Sequence, residues 1–157
     1  HGVTLALTDA GGTAALLEGL MDYDRLATEG TTTRFVSRDG SAAGVVDIEN
    51  IGGAPQASMG AGSVHHVAFS VKDDATHVSI RQSLLDEGLN VTPVIDRNYF
   101  HSIYFRSPGG VLFEIATETP GFTVDEPAGT LGESLKLPRQ HEHLREILEQ
   151  QLPQLVA

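Results

Sequence analysis

The sequence predicts an α+β fold: two tandem β-α-β-β-β modules forming curved mixed sheets, followed by a C-terminal helical tail. Three observations carry this. HGVTLALTD at positions 1–9 returns at 65–73 as HHVAFSVKD. VVDI (45–48) lies over LFEI (112–115), which sets Asp47 opposite Glu114. Between the copies, GGAPQASMGAGS (52–63) is rich in Gly, Ala and Ser, the composition of a connector. A repeat in both residues and element order divides the chain of 157 residues into a first module (1–51), a linker (52–63), a second module (64–118) with the candidate metal ligands, and a tail (119–157).

In the first module, Val3, Leu5 and Leu7 alternate with Gly2, Thr4 and Ala6, a strand with one bulky and one small face. Thr8 or Asp9 can cap the helix GGTAALLEGLM (11–21), where Ala14, Leu17 and Met21 recur at helical spacing. Strands follow at 24–30, 32–40 and 44–51, with Asp39-Gly40 as a tight-turn pair. In the second module, HHVAFSV (65–71) is a strand, and Asp73-Asp74 favours a helix start. Residues 74–87, with Val78, Ile80, Leu84 and Leu85, form an amphipathic helix ending at Gly88. Strands at 90–97, 100–107 and 111–117 complete the unit. In the tail, Leu144, Ile147 and Leu148 form the apolar stripe of a closing helix between Pro138 and Pro153.

Ten basic against 21 acidic side chains give a formal charge of −11. That charge repels phosphate backbones and anionic membrane surfaces, so neither nucleic acid nor a membrane is an expected partner. No apolar run approaches the roughly 18 residues of a spanning helix, and no signal-like segment is visible, so the expected location is the cytoplasm. The absence of Cys removes disulfides and thiolate chemistry, so a metal has to be held by His and carboxylate. A chain that opens on His1 reads as processed or as a piece of a longer polypeptide.

Alternation on 65–71 turns Val67, Phe69 and Val71 toward the core and His66, Ala68 and Ser70 to the other side. On 111–117 it sets Glu114 with Leu112 and Ala116 on that opposite face. A carboxylate in mid-strand among apolar residues needs a cation. If the first and last strands of the module lie together, His66 and Glu114 converge, and a third ligand completes a two-His-one-carboxylate face with open positions, the geometry of non-haem Fe(II) and oxygen chemistry. The competing reading is an ordinary strand histidine, with Glu114 paired to Arg97 or Arg106. Tyr104 shares a face with Ser102 and Arg106 and can present a phenol to the same hollow, or stand half-buried with its hydroxyl in water. Arg97, at a strand end, can orient an anion or simply lie in solvent. His65 sits at the strand's mouth within reach of the site. His101 receives no role; His141 and His143 fall on different helix faces and are poor joint ligands.

At these residues the chain resembles the vicinal oxygen chelate superfamily of glyoxalases, bleomycin-resistance proteins and type I extradiol dioxygenases, built from paired β-α-β-β-β modules. HHVAFSV, IDRNYFHSIYFRSPGGVLFEIATETPGF and the closing LP elements resemble the C-terminal half of ring-cleaving dioxygenases acting on hydroquinones. The resemblance implies an Fe(II) site, with Mn(II) or another divalent metal as alternatives, held by His66 and Glu114, and supporting roles for His65, Arg97 and Tyr104. It implies a small aromatic substrate and O2. The third ligand is then expected from a missing N-terminal half or a second chain, with a homo-oligomer as one possibility. Gly2 stands where the second module has His66, so His1 and Asp47 read as remnants of the repeat. The alternatives are a non-enzymatic cup that sequesters an aromatic or drug-like ligand, and a metal-dependent lyase or isomerase.

Overall fold

Two four-stranded mixed sheets are built by the same sequence of elements. The computed structural model describes residues 2–40, 44–55 and 58–153. The first sheet contains β1 (Gly2–Leu7), β2 (Tyr23–Glu29), β3 (Thr32–Ser37) and β4 (Val45–Asn50) in the order β1-β4-β3-β2, with α1 (Gly11–Gly19) following β1 in the chain. The second contains β5 (Val67–Val71), β6 (Ile95–Asp96), β7 (Phe100–Arg106) and β8 (Leu112–Pro120) in the order β5-β8-β7-β6, with α2 (Asp74–Asp86) following β5. In each sheet the first and last strands are parallel neighbours, and all other pairings are antiparallel. This topology brings the two ends of a module side by side.

Alternation supplies the core. Leu5 and Leu7 of β1, Phe35 of β3 and Ile48 of β4 are buried with Leu16 and Leu17 of α1. Ile103, Phe105, Phe113 and Ile115 are buried with Leu84 of α2, and both sets belong to one hydrophobic cluster. Each such side chain contributes about 1.5–3 kcal/mol through removal from water. The modules meet where α1 approaches the turn between β7 and β8. Thr13 Oγ1 accepts a hydrogen bond from Gly109 N at 2.8 Å and donates to Ser107 Oγ at 3.4 Å. A Cβ on Gly109 would stand 2.8 Å from Leu7 Cδ1, so the close approach requires glycine there. Tyr23 and Phe69 add an edge-to-face ring contact, with centroids 6.1 Å apart.

Helix starts follow the acidic residues. Asp73 is extended and accepts from Thr76 N at 2.8 Å, capping α2. No side chain caps α1 at its N-cap, Ala10, but Asp9 Oδ1 accepts from Gly11 N at 3.1 Å.

Four local readings differ from the sequence expectation. Of the strand expected over 90–97, only Ile95–Asp96 and an isolated bridge at Val91 form ladder pairs. Pro93 has no N–H to give, and Thr92 replaces the ladder by bonding Tyr104 with both its backbone N–H and its hydroxyl. His65 and His66 precede β5 and do not pair within it. In α2, Val78 is exposed while His77 is buried, a rotation of one residue in the inward stripe. The closing helix is short: 3-10 turns over Arg139–Leu144 lead into α3 (Arg145–Gln151), and Ile147 is exposed. No helix among the described residues is long and apolar enough to cross a membrane.

Candidate metal centre

Glu114 occupies the middle of the three principal strands of the second sheet. Its parallel partner on β5 is Ala68 and its antiparallel partner on β7 is Tyr104, so its side chain emerges on the face opposite Phe113 and Ile115. The residue is 4% exposed. Such a carboxylate needs compensation, and both oxygens have it. Oε2 lies 2.7 Å from His66 Nε2, and Oε1 accepts from the Tyr104 hydroxyl at 2.7 Å. Arg97 donates to the Tyr104 oxygen at 3.3 Å and places its guanidinium 5.4 Å from the centre of the tyrosine ring. His65 Nδ1 and His66 Nδ1 are 2.9 Å apart, so one imidazole donates a hydrogen bond to the other.

The five residues singled out from sequence thus form one connected chain of contacts: His65, His66, Glu114, Tyr104 and Arg97 in order. The pairing of Glu114 with Arg97 or Arg106 does not occur. Arg97 reaches only the phenol, and Arg106 donates to the Gly110 carbonyl.

The donor set fits a divalent cation. Two atoms bound at about 2.1 Å and at right angles stand about 3 Å apart, close to the spacing of His66 Nε2 and Glu114 Oε2. Imidazole nitrogen with carboxylate oxygen suits Fe(II), Mn(II) or Zn(II). No group of three or more His, Asp or Glu among the described residues is placed to hold a metal; His66 and Glu114 are two donors.

The equivalent position of the first sheet is closed differently. Asp47 has Thr4 as its parallel partner and Arg34 as its antiparallel one, the registers of Glu114. Arg34 grips it through two parallel hydrogen bonds, each of 2.8 Å. The guanidinium holds the Asp47 carboxyl below its ordinary range, chiefly through these bonds. A Cβ on Gly2 would stand 2.6 Å from the Val45 carbonyl oxygen, so a side chain cannot enter there without moving β4. His1 lies outside the described residues.

Of the other histidines, His141 and His143 are exposed, and His101 Nδ1 contacts Asp74 Oδ1 at 2.7 Å. Sequence reading missed His77, which is 1% exposed and contacts the Ile115 carbonyl through Nε2 at 3.0 Å. Its signal was available: His77, Ile80 and Leu84 follow the 3-4 spacing of an inward stripe from which Val78 departs.

No family model matches the chain. It is 43% identical over 151 residues to a Bacillus subtilis protein named "Putative ring-cleaving dioxygenase MhqO", covering 96% of this chain and 48% of the relative. It is 39% identical over 125 residues to the chlorohydroquinone/hydroquinone 1,2-dioxygenase of Sphingobium indicum, covering 76% of this chain and 38% of that protein. A crystal structure titled as a putative dioxygenase from Bacillus subtilis superposes with a TM-score of 0.92 at 43% identity, over 99% of this chain and 50% of the other. The glyoxylase/bleomycin resistance protein/dioxygenase domain from Frankia shares the fold, with a TM-score of 0.63 at 18% identity over 77% of this chain and 91% of the other. The chain spans about half the length of the curated relatives it matches.

Proposed function

Because the chain belongs to the vicinal oxygen chelate superfamily, we propose that it is the metal-binding half of an Fe(II)-dependent, extradiol-type ring-cleaving dioxygenase acting on hydroquinone- or catechol-like aromatics with O2. The observation that carries this reading is the 2.7 Å approach of His66 Nε2 to Glu114 Oε2, two potential ligands from opposite ends of one repeat. The named activity of the Sphingobium relative supports the substrate class. Half-length coverage supports a third ligand from outside this chain, from an N-terminal half or a second copy.

A bound divalent metal would supply a common attachment for a ring oxygen and O2, holding both reactants side by side. The chain's own residues supply the rest. Tyr104 holds a proton at its phenol oxygen, positioned by Glu114 on one side and Arg97 on the other, and can give it to an oxygen of the substrate. His65 is exposed beside His66 and can accept or return a proton at its ring nitrogens. Arg97, exposed on its outer side, can fix an anionic group.

His66→Ala and Glu114→Ala, each made in the native polypeptide, should abolish both bound iron and oxygen uptake with hydroquinone. Full iron content in both variants would remove these residues from the metal. A second reading, a non-enzymatic cup for aromatic ligands, is favoured by the Arg34–Asp47 pair, which closes the corresponding place in the first sheet without metal. Metal analysis of the purified native polypeptide separates the two readings, and oxygen uptake separates both from a lyase or isomerase.

A further inference from the structure

α2 packs on the face of the second sheet that lies opposite Glu114, and its inward residues are otherwise apolar: Leu84 is fully buried, and Ile80 packs against the core. His77 interrupts them. Its Nε2 lies 3.0 Å from the carbonyl oxygen of Ile115, the residue after Glu114. A carbonyl only accepts, so this contact selects the tautomer with hydrogen on Nε2. The buried Nδ1 is then left with no partner. An apolar side chain in the same place would avoid this cost, so the imidazole calls for a reason in what it holds.

What it holds is the strand that carries Glu114. The same end of α2 makes a second tie, because Asp74 contacts His101 at 2.7 Å, and His101 lies on β7 with Tyr104. Two imidazoles therefore fasten the first turns of one helix to the two strands that meet at the Tyr104–Glu114 bond. Register along a strand decides which face a side chain serves, and a fraction of one step suffices to part a pair spaced at 2.7 Å.

We propose that His77 is a positioning residue for Glu114: its bond to the Ile115 carbonyl fixes β8 against α2 and so sets the carboxylate at the distance from His66 at which both can hold one cation. This rests on the reading of Glu114 and His66 as metal ligands. Outer contacts that orient ligands are worth 10–100-fold in metal affinity.

The test is anaerobic titration of the native polypeptide with Fe(II) alone, with thermal unfolding followed in parallel. His77→Leu should weaken Fe(II) binding about 10–100-fold in folded protein. His77→Gln, whose amide N–H can reach the carbonyl, should restore most of that affinity, whereas the shorter His77→Asn should not. A merely structural role would lower the melting temperature in the Leu and Asn variants and leave affinity untouched. Wild-type affinity in folded His77→Leu, or in His77→Asn if the Leu variant does not fold, overturns the proposal while Glu114→Ala still loses metal. Wild-type affinity in Glu114→Ala overturns instead the ligand reading on which the proposal rests.

Discussion

Tyr104 stands between a cation and an anion, receiving a hydrogen bond from Arg97 and giving one to Glu114. Its hydroxyl is thus oriented by two contacts while its ring lies edge-on to His66, with centroids 5.9 Å apart. Tyr104→Phe keeps the ring and removes only the hydroxyl, the proposed proton carrier. Iron content should stay within a few-fold of the parent while the rate of oxygen uptake falls by about 100-fold or more, the span of general acid–base contributions. Unchanged turnover would reduce the phenol to a packing role. Arg34 offers the contrasting residue-scale case. Its grip lowers the Asp47 carboxyl from the ordinary 3.8, so the stabilisation is present above about pH 4 and is lost as the pH falls through the lowered value. Arg34→Ala should therefore be less stable than the parent at pH 7, with the difference shrinking toward zero in strong acid. Urea unfolding at pH 7 and near pH 3 measures this; a difference that grows on acidification contradicts the assignment.

At the scale of elements, contact between the modules depends on a helix reaching a turn at backbone distance. Gly109→Ala would thrust a methyl group to 2.8 Å from both Leu7 Cδ1 and Thr13 Oγ1, so it should destabilise the protein by about 1–3 kcal/mol. Gly19→Ala, in α1 with nothing within 4 Å of its Cβ position, should instead be neutral or stabilising by up to about 1 kcal/mol. Chemical denaturation of the two variants gives the comparison, and an equal effect at both sites would refute the close approach. Strand and helix order were legible because bulky and small residues alternate cleanly, as in Val3-Thr4-Leu5-Ala6-Leu7. The convergence of His66 with Glu114 was legible only in part: period-2 alternation placed both on one face, whereas the adjacency of their strands was a condition of that reading until the parallel β5–β8 pairing supplied it. What escaped was decided by single bonds. Pro93 and Thr92 undo a strand that hydropathy alone supports, and His77 is hidden because a histidine in an amphipathic helix reads as polar until its partner, a carbonyl on another strand, is seen.

At the scale of the whole molecule, the chain spans about half the length of the curated relatives it matches, and the proposed metal site has two donors, His66 and Glu114, among the described residues. The small β5 positions on the face of Glu114, Ala68 and Ser70, are exposed, as are Thr4 and Ala6 at the equivalent positions of the first sheet. A face lined this way can receive another sheet bearing the proposed third ligand, and the net charge of −11 disfavours close docking of two like copies unless opposite charges or a metal compensate. On the proposed reading, with a third donor from outside this chain, the isolated chain should bind Fe(II) more than about 100-fold more weakly than the native polypeptide, because losing a direct ligand exceeds the 10–100-fold cost of losing an outer contact. Anaerobic titration at several chain concentrations tells the sources of the third donor apart. If the donor comes from another part of the same polypeptide, affinity stays low at every concentration and recovers when that part is added in trans. If a second copy supplies it, affinity climbs with chain concentration, and a dimer appears in sedimentation only when metal is present. Native affinity in the isolated chain at the lowest concentration would overturn the need for a donor from outside it.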